Sequence, residues 1–291
     1  MENITTFEQL LKVCQDKKQK IFEASIDYEV SLGEYSEYQI RFQAKKSLDA
    51  MKEAIVAGMK STELSPSKLS GEDCNRLQKR FEKSSSLLGS VAQKAMVYAL
   101  ATSEQNLRMG IIVACPTAGS CGIVPAVLIS YAKEYKINED DQINALITAG
   151  EIGKLVANKM ALAGAVGGCQ AECGVASAMA TAALTQMRGG TVEQILNSVA
   201  LALKNIMGLT CDPVCGLVEI PCVKRNPFLA IHAITASELA MADITSKIPL
   251  DEVVDALEQT GQLMSPLLKE SSQGGLAKTK TAIELEKIIL K

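Results

Sequence analysis

With 291 residues, 47% of them apolar and 22% charged, the chain can bury a sizeable core, which excludes a disordered polypeptide. A formal charge of -3 and the lack of any basic run with interleaved aromatics argue against nucleic acid as a partner, and no uncharged stretch is long enough for a membrane span. The stretch MENITTFEQLLKVCQDKK carries charges where an export signal needs an apolar core, so the expected location is cytoplasmic, where nine cysteines imply burial, metal binding or catalysis rather than disulfides.

Helix signals dominate from the N-terminus onward. Thr5-x-x-Glu8 and Ser36-x-x-Gln39 read as capping boxes, each followed by charged residues between spaced apolar ones. The Ser/Pro/Gly-rich run STELSPSKLSG, Ser61 to Gly71, predicts a loop, with a helix restarting at Ser70 and Asp73 in its first turn. An N-terminal helical subdomain over residues 1–70 and a core over 106–291 are therefore expected within one domain spanning 1–291.

Beyond Met109 Gly, Ala and Cys rise while charge falls, the texture of helices that approach closely around a buried site. Asn138 before Glu139, Asp140 and Asp141 opens one helix with acids matched to the macrodipole. Thr191-x-x-Gln194 opens another, with Ile195, Val199, Leu203 and Ile206 on one face before Gly208 stops it. Asn226-Pro227 reads as an N-cap followed by a first-turn proline, which makes the preceding cysteine-rich stretch a connection between helices. Short extended pieces fit Gly110 to Cys115 and Leu217 to Cys222, but no alternation of strands with helices specifies a sheet. The expected class is all-α.

Seven of the nine cysteines fall in three Gly- and Pro-rich stretches, CPTAGSCGIVPAVL, GGCQAECG and LTCDPVCGLVEIPCVKRN, while Cys14 and Cys74 stand alone as packing residues. Zinc and iron–sulfur units both take cysteine sulfur and tie separate segments together. Cys169-x-x-x-Cys173 and Cys211-x-x-x-Cys215 have zinc-compatible spacing, yet the other cysteines arrive singly; by spacing alone the two readings are level.

Those three stretches and SSQGGLA, in this order, resemble the α chain of the iron–sulfur-dependent L-serine dehydratase family across essentially the whole length. The resemblance implies an all-helical catalytic domain that converts L-serine to pyruvate and ammonia with a [4Fe–4S] cluster and without pyridoxal phosphate. Carried over motif by motif, the cluster ligands are Cys169 of GGCQ, Cys211 of LTCDP and Cys222 of IPCVKRN, and Cys115, Cys121, Cys173 and Cys215 are left as small buried thiols near the site. Three protein ligands on four irons leave one iron open, a Lewis acid for the serine hydroxyl that makes it a better leaving group while a base takes the α-proton. An accessible iron also implies inactivation by air.

The resemblance further favours Thr117, Ala118, Gly119 and Ser120 as substrate contacts, since backbone N–H groups before a helix suit a carboxylate; the bland alternative is Ser120 as an ordinary N-cap. Lys224, Arg225 and Asn226 fit a solvated turn nearly as well as a site. Gln273 stands where many members have Arg, so no anion contact is expected there, and the one histidine, His232, reads as a core or groove residue. In the family the proposed base is a histidine of a second domain, which nothing here matches; a separate β chain in a hetero-oligomer is the implied partner. The rivals are a non-enzymatic helical scaffold with a structural zinc–cysteine site, a pyridoxal-phosphate enzyme, for which no Ser-x-Lys beside a glycine tract speaks, and an electron carrier, which normally uses four cysteines.

Overall fold

The computed structural model describes residues 4–84 and 86–289. Among these the chain forms thirteen α-helices and no strand. They are α1 (Phe7–Lys17), α2 (Ile21–Ser31), α3 (Glu37–Lys60), α4 (Asp73–Lys83), α5 (Ser90–Leu107), α6 (Ile123–Tyr135) and α7 (Glu139–Lys159), then the single turn α8 (Gly164–Gly167), α9 (Val175–Met187), α10 (Val192–Lys204), α11 (Cys222–Met241), α12 (Leu250–Leu263) and α13 (Lys280–Ile289). No helix among the described residues is long and apolar enough to cross a membrane.

The centre is α9, whose residues Val175 to Thr185 are all buried. Its sequence VASAMATAALTQM has almost no bulk, so α6, α7, α10 and α11 close in on every side. Around it the larger residues Ile123, Leu128, Ile152, Leu155 and Leu203, with Leu184 of α9 itself, fill the gaps at no more than 2% exposure, each contributing about 1.5–3 kcal/mol of apolar burial before entropy is counted. The early helices lie on this body: α1 against α10 and α12, α2 against α7, and α3 against α5 and α7. At the α3–α5 crossing a Cβ on Gly58 would lie 2.0 Å from the carbonyl oxygen of Ala101, so only glycine permits that approach.

Local capping follows the residue types, with shifts set by tertiary contacts. Ser36, Asn138 and Thr191 cap α3, α7 and α10, and Ser36 and Thr191 form full capping boxes with Gln39 and Gln194. At α1 the box is Thr6 with Gln9, one residue beyond Thr5-x-x-Glu8, because the N–H groups of Phe7 and Glu8 are already taken by the Asp251 carboxylate of α12. Helix α4 starts at Asp73 rather than Ser70: Glu104 of α5 accepts the N–H of Asp73 at 2.8 Å and of Cys74 at 3.3 Å, a cap supplied from another helix. Likewise α10 ends at Lys204, and Gly208, with φ +87°, lies in the turn beyond it.

The largest departure concerns Asn226-Pro227, which lies inside α11 rather than at its start. Asn226 is fully buried and faces another partner: its Oδ1 accepts the N–H of Gly122, and its Nδ2 donates to the carbonyls of Gly119 and Cys222. Cys222 is therefore the first helical residue and not part of a loop. No extended piece forms at Gly110 to Cys115 or Leu217 to Cys222; the one bridge among the described residues joins Cys211 to Lys269.

Candidate functional site

Three loop segments meet at the end of the bundle where α6, α9 and α11 begin. The turn before α9 is a single π-helical turn, Gln170–Gly174. Gln170 pins it to α12 and to the segment after α10, donating to the Leu257 carbonyl of α12 at 2.9 Å and accepting the N–H of Gly208 at 2.8 Å, while its own N–H reaches the Leu209 carbonyl at 3.1 Å. Gly168, with φ +76°, makes this approach feasible, since a Cβ there would lie 2.9 Å from the same Leu209 oxygen. Cys169 and Cys211 are thereby brought together from positions far apart in the chain.

A carboxylate oxygen of Glu172 and the sulfurs of Cys169 and Cys211 all lie within 4.8 Å of one another. The Cys173 Sγ is 4.0 Å from that of Cys169. Cys222 lies outside this tightest group, but it is buried and close enough for the Cys169 charge to act on it and for its own to act on Cys173 and Cys211. Cys115 and Cys121 are buried next to each other, the Cys115 thiol 3.7 Å from the Cys121 carbonyl oxygen. Cys215 departs from the expected buried thiol, being only partly covered in a left-handed turn with φ +58°.

Electrostatics distinguish these sulfurs. Hydrogen bonds from Cys173 and then Cys211 lower Cys169 to about 3, with Arg225 assisting and burial opposing. The same bonds, and burial after them, push Cys173 and Cys211 far up. Burial first and the Cys169 sulfur second raise Cys222 to about 12. Negative charge is thus favoured on Cys169 over its neighbouring sulfurs. Glu172 is pushed up to about 7, chiefly by burial; its hydrogen bond from Thr117 pulls the other way, and the Cys169 sulfur adds to the rise.

Arg225 is the cation of the site, its side chain only 15% exposed rather than solvated. It donates to the Thr210 carbonyl at 2.8 Å and to Asp212 Oδ1 at 2.9 Å. Lys224 instead points outward to an ion pair with Asp73 at 2.6 Å.

The loop before α6 forms the opposing wall. Ser120 is not its N-cap, because α6 begins at Ile123 after Gly122. The Ser120 hydroxyl lies 3.1 Å from that of Thr117, and Thr117 in turn donates to Glu172 Oε1. Among the described residues the N–H groups of Ala118 and Gly119 have no acceptor. Gln273 is exposed on a surface turn, whereas Gly275 of the same motif is tightly fitted, with φ +58° and a Cβ position 2.5 Å from Asp212 Oδ2. His232 lies on α11 with its Nδ1 2.8 Å from the Ser177 hydroxyl, as a groove histidine would.

Sequence reasoning passed over Glu172, Asp212 and Glu219. The signal for Glu172 was available: it is the one acid in GGCQAECGVASAMA, a stretch otherwise without charge.

A family model described as serine dehydratase alpha chain matches residues 10–277. The chain belongs to the serine dehydratase alpha-chain family. It is 43% identical over 282 residues to the probable L-serine dehydratase alpha chain of Bacillus subtilis, covering 97% of this chain and 94% of that one. It is 37% identical over 288 residues to the L-serine dehydratase alpha chain of Peptoniphilus asaccharolyticus, covering 99% of both. With the L-serine dehydratase TdcG of Escherichia coli the identity is 43% over 183 residues, which is 62% of this chain and 40% of that protein. The serine dehydratase alpha-chain match thus spans all the cysteine-bearing stretches of the site.

Proposed function

We propose that this chain is the α subunit of an iron–sulfur L-serine dehydratase, a lyase that eliminates water from L-serine and releases pyruvate and ammonia. The carrying observation is the convergence of Cys169 and Cys211, with Cys222 in electrostatic reach, at the end of an otherwise apolar bundle. Family membership supports the reaction, and the donor set supports the cofactor. Soft, buried sulfurs beside a largely buried guanidinium suit an anionic iron–sulfur unit.

In this reading Cys169, Cys211 and Cys222 hold a [4Fe–4S] cluster. When bound, that group supplies a Lewis-acidic iron for the hydroxyl that leaves. The chain's own residues do the rest of the binding. Arg225 offsets the negative charge of the sulfur cluster, with Asp212 holding its orientation. The free N–H groups of Ala118 and Gly119, in the turn that Thr117 and Ser120 brace, offer a concave set of donors for the substrate carboxylate. Hydroxyls of Thr117 and Ser120 complete that wall.

Removal of the α-proton needs a base. His232 of α11 is committed to Ser177 of α9, and a separate β chain is the proposed source of the base, in keeping with the α-chain names of the two full-length relatives.

The test is to purify the chain without oxygen, measure its iron and zinc, combine it with a β subunit and follow pyruvate formation from L-serine. Iron with acid-labile sulfide, activity only in the αβ mixture and loss of activity in air are the expected results. Zinc in place of iron, or equal turnover by the α chain alone, overturns the reading.

A further inference from the structure

An α-amino acid carries its ammonium and carboxylate on one carbon, so a carboxylate directly beside a set of carboxylate donors is well placed to take the ammonium while they take the acid group. Glu172 occupies such a place. Its Oε1 accepts from Thr117, the residue that opens the Ala118–Gly119 donor pair. A Cβ added at Gly119 would come within 2.6 Å of that oxygen, so the carboxylate lies directly against this loop. Its other oxygen turns toward the sulfurs: a Cβ on Gly164 would meet Glu172 Oε2 at 3.1 Å and Cys211 Sγ at 3.0 Å. The Oε2 atom has no hydrogen-bond donor among the described residues.

We propose that Glu172 receives the α-ammonium group of the amino-acid substrate. This rests on the serine dehydratase reading above and deepens it by naming the group that distinguishes an amino acid from a plain hydroxy acid. On the sulfur side the Glu172 carboxylate lies within 4.8 Å of the Cys169 and Cys211 sulfurs, so an amine held by it sits beside the sulfur-bearing part of the site. Arg225 acts on Glu172 only through space, its guanidinium donating to Thr210 and Asp212, so among the described residues Glu172 has no ion-pair partner and can take a positive charge from outside the chain. Glu270, exposed at the rim, adds a second negative charge close enough to act on Glu172 and favours a cation further. Thr117 and Gly119 are positioning residues, one by its hydroxyl and the other by the space its missing side chain leaves.

The experiment uses the αβ holoenzyme, assembled without oxygen, in wild-type form and as Glu172→Gln and Glu172→Asp. Iron content and visible absorption are measured first, then KM and kcat for L-serine, then inhibition by 3-hydroxypropanoate, which keeps the carboxylate and β-hydroxyl but has hydrogen in place of the amine. With Glu172 as the ammonium receptor, E172Q keeps its iron, raises KM for L-serine by about tenfold or more, and changes the inhibition constant of 3-hydroxypropanoate by less than about twofold. E172D, which keeps the charge on a shorter stem, falls between wild type and E172Q, and it carries the same test if E172Q does not fold. Loss of iron in both variants would make Glu172 a metal ligand and overturn the proposal. So would equal weakening of serine and 3-hydroxypropanoate, or an unchanged KM. A wild-type holoenzyme with iron but no serine turnover would instead overturn the functional reading itself, a result distinguishable before any variant is compared.

Discussion

Arg225 meets Asp212 at 2.9 Å, and the second oxygen of Asp212 accepts the N–H of Leu276 at 2.8 Å, so one carboxylate ties the cysteine-rich segment to the SSQGGLA turn. Both partners of the ion pair are largely covered, 15% and 6% exposed, so the contact is not the weak surface kind. This explains the second glycine of that turn: at φ +58° with Asp212 Oδ2 2.5 Å from its Cβ position, residue 275 has no room for a side chain, while a Cβ on Gly274 would meet the Leu267 carbonyl oxygen at 2.7 Å.

Removing the carboxylate leaves Arg225 buried without its counter-ion. Asp212→Ala is expected to cost about 3 kcal/mol of folding stability. Gly275→Ala acts on the same contact from the other side and costs about 2 kcal/mol through strain and displacement of Asp212. Denaturant midpoints of the two variants and of their combination check this, and a combined loss smaller than the sum is expected because both act on one contact.

The cysteines divide into two experimental classes. Cys169→Ala, Cys211→Ala and Cys222→Ala are each expected to abolish iron retention in anaerobic preparations. Cys74→Ala removes a fully buried core thiol whose hydrogen bonds among the described residues go to Gln78 and the Val97 carbonyl, so it costs about 1 kcal/mol of stability and leaves iron content unchanged. Iron and sulfide assays on the purified variants distinguish the classes.

His232 makes stability sensitive to acid. Burial lowers its pKa below the ordinary value. The unfolded chain therefore takes up a proton at about pH 6.5 while the folded chain still refuses it. The contribution is complete above that pH and is lost as the pH falls through the lowered folded value, because more protons are bound in the unfolded state. The Ser177 hydroxyl donates to the Leu229 carbonyl at 3.0 Å, so in the neutral form Nδ1 of His232 carries the ring hydrogen toward Ser177. Urea midpoints of His232→Asn measured between about pH 5 and 8 should fall less steeply toward acid than those of the wild type.

Glu219 anchors the other end of the cysteine-rich segment. It is 5% exposed and accepts from the hydroxyls of Ser65 at 2.8 Å and Ser67 at 2.7 Å, both in the loop between α3 and α4. Replacing both serines with alanine strands a buried carboxylate and should cost about 3 kcal/mol, while Glu219→Gln in that background recovers part of the loss. Thermal melting of the three proteins is the check.

Much of the helix inventory was legible because capping is local. Ser36, Asn138 and Thr191 sit three residues before a side chain that answers them, and nothing distant competes. Where a distant residue did compete, the reading slipped. Asp251 moved the first cap from Thr5 to Thr6, Glu104 supplied the cap of α4, and Asn226, which has the residue type of a cap, spends its side chain on Gly119 and Gly122.

The sequence by itself determined an all-helical chain and the family to which it belongs, since periodicity, caps and ordered motifs are properties of neighbouring residues. Only the tertiary structure decided which side chains share a space: Cys169 and Cys211 with Glu172, Arg225 with Asp212, and Glu219 with Ser65 and Ser67. The physical reason is range. A hydrogen bond along a helix turn joins residues three or four apart, whereas burial and charge act through space and join whatever the packing of α6, α9 and α11 brings to one end of the bundle.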